Sequence, residues 1–203
     1  MQGRRDESHV GPVLFGNRAS AGKILLMPRL FVAIDLPEEI RRSLQAIQPE
    51  VASGIRVTPP EQLHLTLHFL GEADVAAVSA AIMPTIPHEL SLAGQGVGSF
   101  RGRDGQIILW AGIEPDSDLL GLQRQMGARL EEAGFVVEKR PYKPHITLAR
   151  LKGRAGRKLT AEWEAAHSEF TIPSTPVTAI TLYSSTLGRD GAVHSPEVVF
   201  PVE

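Results

Sequence analysis

The strongest constraint on this chain is a strand that occurs twice. H-L-T-L stands at residues 64–67 and H-I-T-L at 145–148, the two histidines 81 residues apart. Side chains alternate across a strand, so histidine and threonine share one face and the intervening apolar residues share the other. A proline-marked segment leads into each copy, PPEQ before His64 and RPYKP before His145. Residues that precede proline are driven to extended backbone, which suits the start of a strand. The repetition predicts a duplicated strand unit, two related lobes whose H-x-T faces line one cleft. In the longer run HLTLHFLG (64–71), strict alternation places His64, Thr66 and His68 together and turns Leu65, Leu67 and Phe69 to the core. Imidazoles on a strand face are unusual, and histidine's ordinary pKa suits it to moving protons.

The surrounding sequence alternates helices with strands. RLFVAIDLP (29–37) is a strand with Leu30, Val32 and Ile34 on one face and Phe31, Ala33 and Asp35 on the other. Pro37 opens a helix whose first turn holds Glu38 and Glu39, where the helix dipole favours acids. EADVAAVSAAIM reads as a helix stopped by Pro84, and ELSLAGQGVGSF and QIILWAGIEP read as strands joined by RGRDG. DSDLLGLQRQMGARLEEAG is the clearest helix. Ser117 or Asp118 caps it, Leu119, Leu122, Met126 and Leu130 form its apolar stripe, and Gly134 ends it. LTAEWEAAHSEF is a short helix, and PVTAITLYSST and VHSPEVVFPV are strands around LGRDG. Short glycine-containing turns between neighbouring strands predict an α+β fold with antiparallel sheets, not a doubly wound parallel one. GQGVG at 94–98 has no helix behind it, which argues against a dinucleotide loop.

Composition narrows the partners. With 203 residues, 42% hydrophobic and 22% charged, the chain suits one domain or two small lobes. A net charge of −2 excludes a polycationic nucleic-acid coat, so any nucleic-acid contact is local. The absence of cysteine excludes disulfides, thiolate metal sites and thiol nucleophiles, and it fits a reducing compartment. Residues 1–26 show no sustained period and read as a disordered extension, with Met27 as an alternative start and 27–203 as a single bilobal domain. Pro28 and Arg29 interrupt the nearby apolar run, and no stretch is long enough to span a bilayer. The expectation is a monomeric, cytoplasmic protein that makes no use of a membrane.

Two histidines and two threonines facing each other can do a narrow range of chemistry. One neutral imidazole takes a proton from a nucleophile while the other, protonated, gives one to a leaving oxygen. The hydroxyls of Thr66 and Thr147 can hold non-bridging oxygens between them. In-line displacement at phosphorus fits, because nucleophile and leaving group lie on opposite sides of the phosphorus. A ribose 2′,3′-cyclic phosphate needs only water and one departing alkoxide.

RLFVAIDLP, PPEQLHLTLHFLGE and RPYKPHITLAR, in that order, resemble the two-histidine phosphoesterase superfamily. More narrowly they resemble the bacterial and archaeal RNA 2′,3′-cyclic phosphodiesterases, also called 2′-5′ RNA ligases. The resemblance runs from about residue 28 to the C-terminus. It implies a bilobal α+β fold with two antiparallel sheets, a V-shaped cleft and helices outside. It also implies metal-independent hydrolysis of a 2′,3′-cyclic phosphate to a 2′-phosphate, with no cofactor, on RNA 3′ ends or small cyclic nucleotides. By resemblance His145 activates water and His64 protonates the departing 3′ oxygen, although spacing does not distinguish the two. The alternatives are a 2′,5′-linkage ligase or phosphodiesterase, and a non-catalytic module that binds RNA ends.

Arg150, five residues after His145, matches the family arginine that stacks on the terminal base, as a guanidinium plane can do. Phe31 is either a second base platform or part of a second core layer. The window from Lys139 to Lys158 holds eight Lys or Arg and no acid, and Lys143 lies almost against His145. Such a patch attracts a phosphodiester chain. His68 has no counterpart after His145, where Ala149 stands, and reads as a supporting residue or a spectator. A metal pair at His64 and His68 lacks an accompanying carboxylate. His9, His88, His167 and His194 read as surface residues, and Trp110 and Trp163 as core or half-buried anchors.

Overall fold

Alternating apolar residues and antiparallel pairing build almost the whole architecture. The computed structural model describes residues 13–14, 27–102, 105–152, 154–188 and 191–202. The strands are β1 (Val13–Leu14), β2 (Arg29–Asp35), β3 (Ile55–Val57), β4 (His64–Glu72), β5 (Ser91–Arg101), β6 (Ile107–Ile113), β7 (His145–Leu151), β8 (Thr171–Pro176), β9 (Ala179–Gly188) and β10 (Gly191–Pro201). The helices are α1 (Glu38–Ala46), α2 (Val75–Ile82), α3 (Ser117–Glu132) and α4 (Arg154–Ala166). Apart from β1, the expected N-terminal extension lies outside the described residues.

The strands form one antiparallel sheet in the order β1-β10-β9-β2-β4-β7-β6-β5-β8, with β3 pairing β7. The sequence predicts two separate sheets. What joins them is a single pair, Leu65 with Ile146, from which β4 and β7 run in opposite directions. Each histidine is the residue immediately before its member of that pair.

The strand pairs that carry the two H-x-T runs have the same register. Asp35, Ala33 and Phe31 of β2 oppose His64, Thr66 and Phe69 of β4. Gly112, Trp110 and Ile108 of β6 oppose His145, Thr147 and Arg150 of β7. In both pairs one extra residue follows the threonine, Leu67 in β4 and Leu148 in β7, where the register shifts. Such a bulge reverses the faces of the residues that follow it, in β4 as far as the next register shift at Leu70. His68 therefore turns to the core, where it is 3% exposed, and Phe69 turns outward at 67%. Strict alternation places both the other way.

Helix starts follow local chemistry. The Asp74 carboxylate accepts from the Ala77 N–H at the start of α2, and Asp116 accepts from Asp118 and Leu119 at the start of α3. The cap of α3 is thus one residue before the expected Ser117. Leu119, Leu122, Met126 and Leu130 are buried, as the apolar stripe of α3 predicts. With Ile40 and Leu44 of α1, Val78 and Ile82 of α2, Trp163 of α4 and the core-facing strand residues, they form one hydrophobic cluster. At about 25 cal/mol per Å² of apolar surface, this burial supplies the main drive to fold. The opposite sheet face, which carries His64 and Thr66, is left for the site.

Candidate active site

Both H-x-T histidines are oriented by the same local bond. His64 Nδ1 lies 2.7 Å from the Gln62 carbonyl, and His145 Nδ1 lies 2.7 Å from the Lys143 carbonyl. A carbonyl only accepts, so each Nδ1 carries the hydrogen and donates it. In the neutral ring Nε2 is then the lone-pair nitrogen, free to take a proton. The backbone two residues upstream of each histidine thus sets its tautomer, which the paired proline-rich lead-in segments make possible.

Aromatic rings wall both imidazoles. Phe31 packs against His64 at 5.0 Å between centroids, with Tyr183 stacked on Phe31 at 5.3 Å and 14°. Phe100 meets His145 edge-on at 4.9 Å, and Trp110 stands 6.3 Å from it. Gly98 is what lets Trp110 lie flat on β5, because a Cβ there would be 2.4 Å from the indole Cζ2. The Trp110 Nε1–H is enclosed and has no partner among the described residues.

Burial pulls both rings toward their neutral forms. The His64 pKa is lowered from 6.5 to about 4, first by desolvation, then by the nearby His194 and, more weakly, by His145. Desolvation also lowers His145, and Arg150 adds to it. Removing an imidazolium from water penalises the charged form, as does a neighbouring positive charge. The Asp35 carboxylate, opposite His64 across the sheet, is held by the hydroxyls of Thr181 at 2.7 Å and Tyr183 at 2.6 Å. Burial and Asp35 raise the Tyr183 pKa, which keeps that hydroxyl a donor. The Tyr142 hydroxyl donates to the Thr66 carbonyl at 2.9 Å, tying the segment before His145 to β4.

The structure redistributes several residues singled out from sequence. Arg150 is exposed, and its register with Ile108, two residues before Trp110, puts it on the face of Thr147. Lys143 is exposed and contributes its carbonyl to His145. Phe31 keeps 2% of its surface and stands outside the main hydrophobic cluster, so it is a floor beneath His64 and not an open platform. His68 does not share the H-x-T face; its Nε2–H donates to the Gln123 carbonyl at 2.8 Å, clamping β4 to α3. Within the basic window, Lys139, Arg140 and Lys158 pair with Glu131, Glu138 and Glu162, which reduces the net positive field. Trp163 is buried, and its indole N–H donates to the Ile47 carbonyl.

His194 reads from sequence as a surface residue, and its place in the site is a finding of the structure. It lies edge-on to Phe31 at 4.8 Å and to His64 at 5.5 Å. Its Nδ1 is enclosed, with no partner among the described residues, and burial and Arg150 lower its pKa. Register alone leaves it far from His64, opposite Ser185, which pairs with Arg29, which pairs with Glu72. At Gly191 the start of β10 packs so closely on the Arg56 guanidinium that a Cβ would overlap it. Nothing local in V-H-S-P signals this. No three His, Cys, Asp or Glu side chains converge as a metal site among the described residues, and no helix there is long and apolar enough to cross a membrane.

Paired imidazoles, hydroxyls on the same strand faces and a nearby guanidinium are groups that can serve acid–base chemistry on an anion. The family description "2′-5′ RNA ligase superfamily" matches residues 36–189. The RNA 2′,3′-cyclic phosphodiesterase of Methanothermobacter thermautotrophicus is 30% identical over 182 residues, covering 85% of this chain and 97% of that one. The enzyme of the same name from Escherichia coli is 31% identical over 185 residues, covering 83% and 93%. Among solved structures, TT0787 of Thermus thermophilus superposes with a TM-score of 0.70 at 29% identity, covering 86% and 97%. E. coli LigT complexed with 3′-AMP gives 0.64 at 28%, covering 86% and 98%. The chain belongs to the 2′-5′ RNA ligase superfamily. It is an enzyme, a hydrolase in class.

Proposed function

We propose that this enzyme opens a 2′,3′-cyclic phosphate at an RNA end, or on a small nucleotide, to leave a 2′-phosphate. The observation that carries the reading is the matched pair of Nδ1–H bonds from His64 and His145, each to the carbonyl two residues upstream. It gives two imidazoles with Nε2 available, on strands that diverge from one shared pair. One neutral ring takes a proton from water as its oxygen bonds to phosphorus. The other, protonated, gives its proton to O3′ as the P–O3′ bond breaks. Thr66 and Thr147 hold the non-bridging oxygens, and Arg150 and Lys143 act on the substrate. The anionic phosphate raises the pKa of the ring that must arrive protonated.

Resemblance makes His145 the base and His64 the acid. The matching registers of β2–β4 and β6–β7 support a duplicated unit with a V-shaped cleft, within a single domain from residue 27 to the C-terminus. Phosphodiesterase action in relatives of the same name, across most of the chain, supports the substrate class. The chemistry calls for no metal or cofactor, and a cytoplasmic monomer suits it.

The test is hydrolysis of a short RNA ending in a 2′,3′-cyclic phosphate, with EDTA present, by wild type, His64→Ala and His145→Ala. Wild type should yield only the 2′-phosphate, and each substitution should cost about 10²–10⁴ in rate. Losses below tenfold would remove the acid–base assignment. Binding without turnover by wild type would make the chain a reader of RNA ends.

A further inference from the structure

Each H-x-T imidazole is met edge-on by one other ring. His194 stands 5.5 Å from His64 at 84°, and Phe100 stands 4.9 Å from His145 at 85°. A second ring lies against each, Phe31 at 5.0 Å from His64 and Trp110 at 6.3 Å from His145. The edge-on partners match in geometry and differ in chemistry. Phe100 is never charged, whereas His194 can take a proton of its own beside His64.

His194 is fixed where its charge reaches His64. Its ring lies edge-on to Phe31 at 4.8 Å, the same ring that floors His64, and three residues earlier Gly191 packs on the Arg56 guanidinium. Its Nδ1 is enclosed without a partner among the described residues, so a doubly protonated ring lacks an acceptor there. Arg150 and His145 on β7 and Arg56 on β3 add positive or titratable groups around the pair. Asp35 on β2, opposite His64, is held by the hydroxyls of Thr181 and Tyr183 on β9. Burial draws both imidazoles toward their neutral forms, and a charge on one opposes a charge on the other.

We propose that His194 is a positioning residue that acts through His64: it meets that ring as Phe100 meets His145, and before substrate binds the two imidazoles hold at most one proton between them, a second being accepted only against an anionic phosphate. The inference rests on the phosphodiesterase reading for its anionic ligand. The consequence is an inequality between two otherwise matching histidines. His64 competes with a neighbour for its proton, and His145, beside a phenyl edge, does not.

The test compares wild type, His194→Phe and His194→Gln. His194→Phe reproduces the phenyl edge found at His145, and His194→Gln removes the charge without supplying a ring. Imidazole NMR titration of the free protein follows His64 and His145 separately, and the pH profile of kcat/KM on a 2′,3′-cyclic mononucleotide runs in parallel. Like charges 5.5 Å apart are worth about half a pH unit in a water-like dielectric and more in a drier one. In both variants the His64 midpoint and the acidic limb of kcat/KM should therefore move up by at least that much, while His145 stays in place. A ring that serves packing alone would be replaced by phenylalanine with no change in titration. That result, or a His145 midpoint that moves as far as that of His64, overturns the proposal. If wild type hydrolyses no cyclic phosphate, the phosphodiesterase reading fails, and the NMR midpoints decide the role of His194 by the same criteria.

Discussion

Substituting Gly98 by alanine should damage both stability and turnover through one ring. A Cβ at position 98 would sit 2.4 Å from Trp110 Cζ2 and 2.6 Å from Cη2, whereas ordinary contact begins at 3.4 Å. The indole or β5 must give way by about 1 Å, an overpacking that typically costs about 1–3 kcal/mol. For a chain of this size that lowers Tm by about 2–12 °C. Displacement presses on the ring's neighbours, Phe100 at 5.1 Å and His145 at 6.3 Å. A misplacement of about 1 Å in a reacting group can cost about 10²-fold in rate. Thermal unfolding and kcat/KM on a cyclic-phosphate substrate read the two effects separately. Adding Trp110→Leu to Gly98→Ala removes the overlap, so the double variant should regain stability that the single one lost, a non-additive cycle. If Gly98→Ala unfolds like wild type with full activity, Trp110 does not brace His145 and the close-approach argument is wrong.

The remaining predictions concern charge and packing. Because both site imidazoles titrate below 6.5, His64 near 4, kcat/KM should be bell-shaped on the acidic side of neutrality, rising with pH through the lower of the two pKa values and falling through the higher; limbs that both lie above pH 7 would contradict this. The kcat profile should lie higher in pH, since bound phosphate stabilises the imidazolium. Unfolded His64 binds a proton near 6.5 but the folded ring only near 4, so stability rises with pH across that window. The contribution is on the order of 3 kcal/mol, and urea titrations of wild type and His64→Phe at pH 4 and 7 would measure it. Gly127→Ala puts a Cβ 3.0 Å from His68 Cε1, and crowding a ring held by the Gln123 carbonyl should offset the roughly 1 kcal/mol that alanine brings a helix interior, so urea titration should find no net stabilisation. Removing residues 1–26 should leave activity intact, and a large loss in the same RNA assay would place that segment in the site.

Local pattern carried much of the architecture. The alternation of Leu30, Val32 and Ile34 put them on one face, which joins the main cluster although Phe31 and Ala33 opposite are buried too, and the spacing of Leu119, Leu122, Met126 and Leu130 identified a buried stripe. Both signals are short-range, since side-chain direction follows from backbone period alone. The period failed at His68 and Phe69, because a bulge answers to the partner strand and leaves no local mark in HLTLHFLG. Strand β8, TIPSTP, escaped notice for a related reason: two prolines weaken the strand signal, and only its edge position beside β5 accommodates them.

The candidate site divides along the same line. His64, Thr66, His145 and Thr147 were legible because each H-x-T is a within-strand spacing, and the two copies point to one chemistry. The imidazole tautomers, the lowered pKa values and the burial of Phe31 were not, since they depend on carbonyl placement and on what covers each ring. His194 reaches His64 only because the start of β10 packs over toward β3, at Gly191 on Arg56, so its role is written in tertiary packing and not in its neighbours along the chain. By itself the sequence determined which side chains share a strand face up to the first bulge and where helices begin and bury. Tertiary structure decided which faces meet, where bulges reverse them and which rings stay open to a ligand, because those outcomes depend on pairing between residues far apart in the chain.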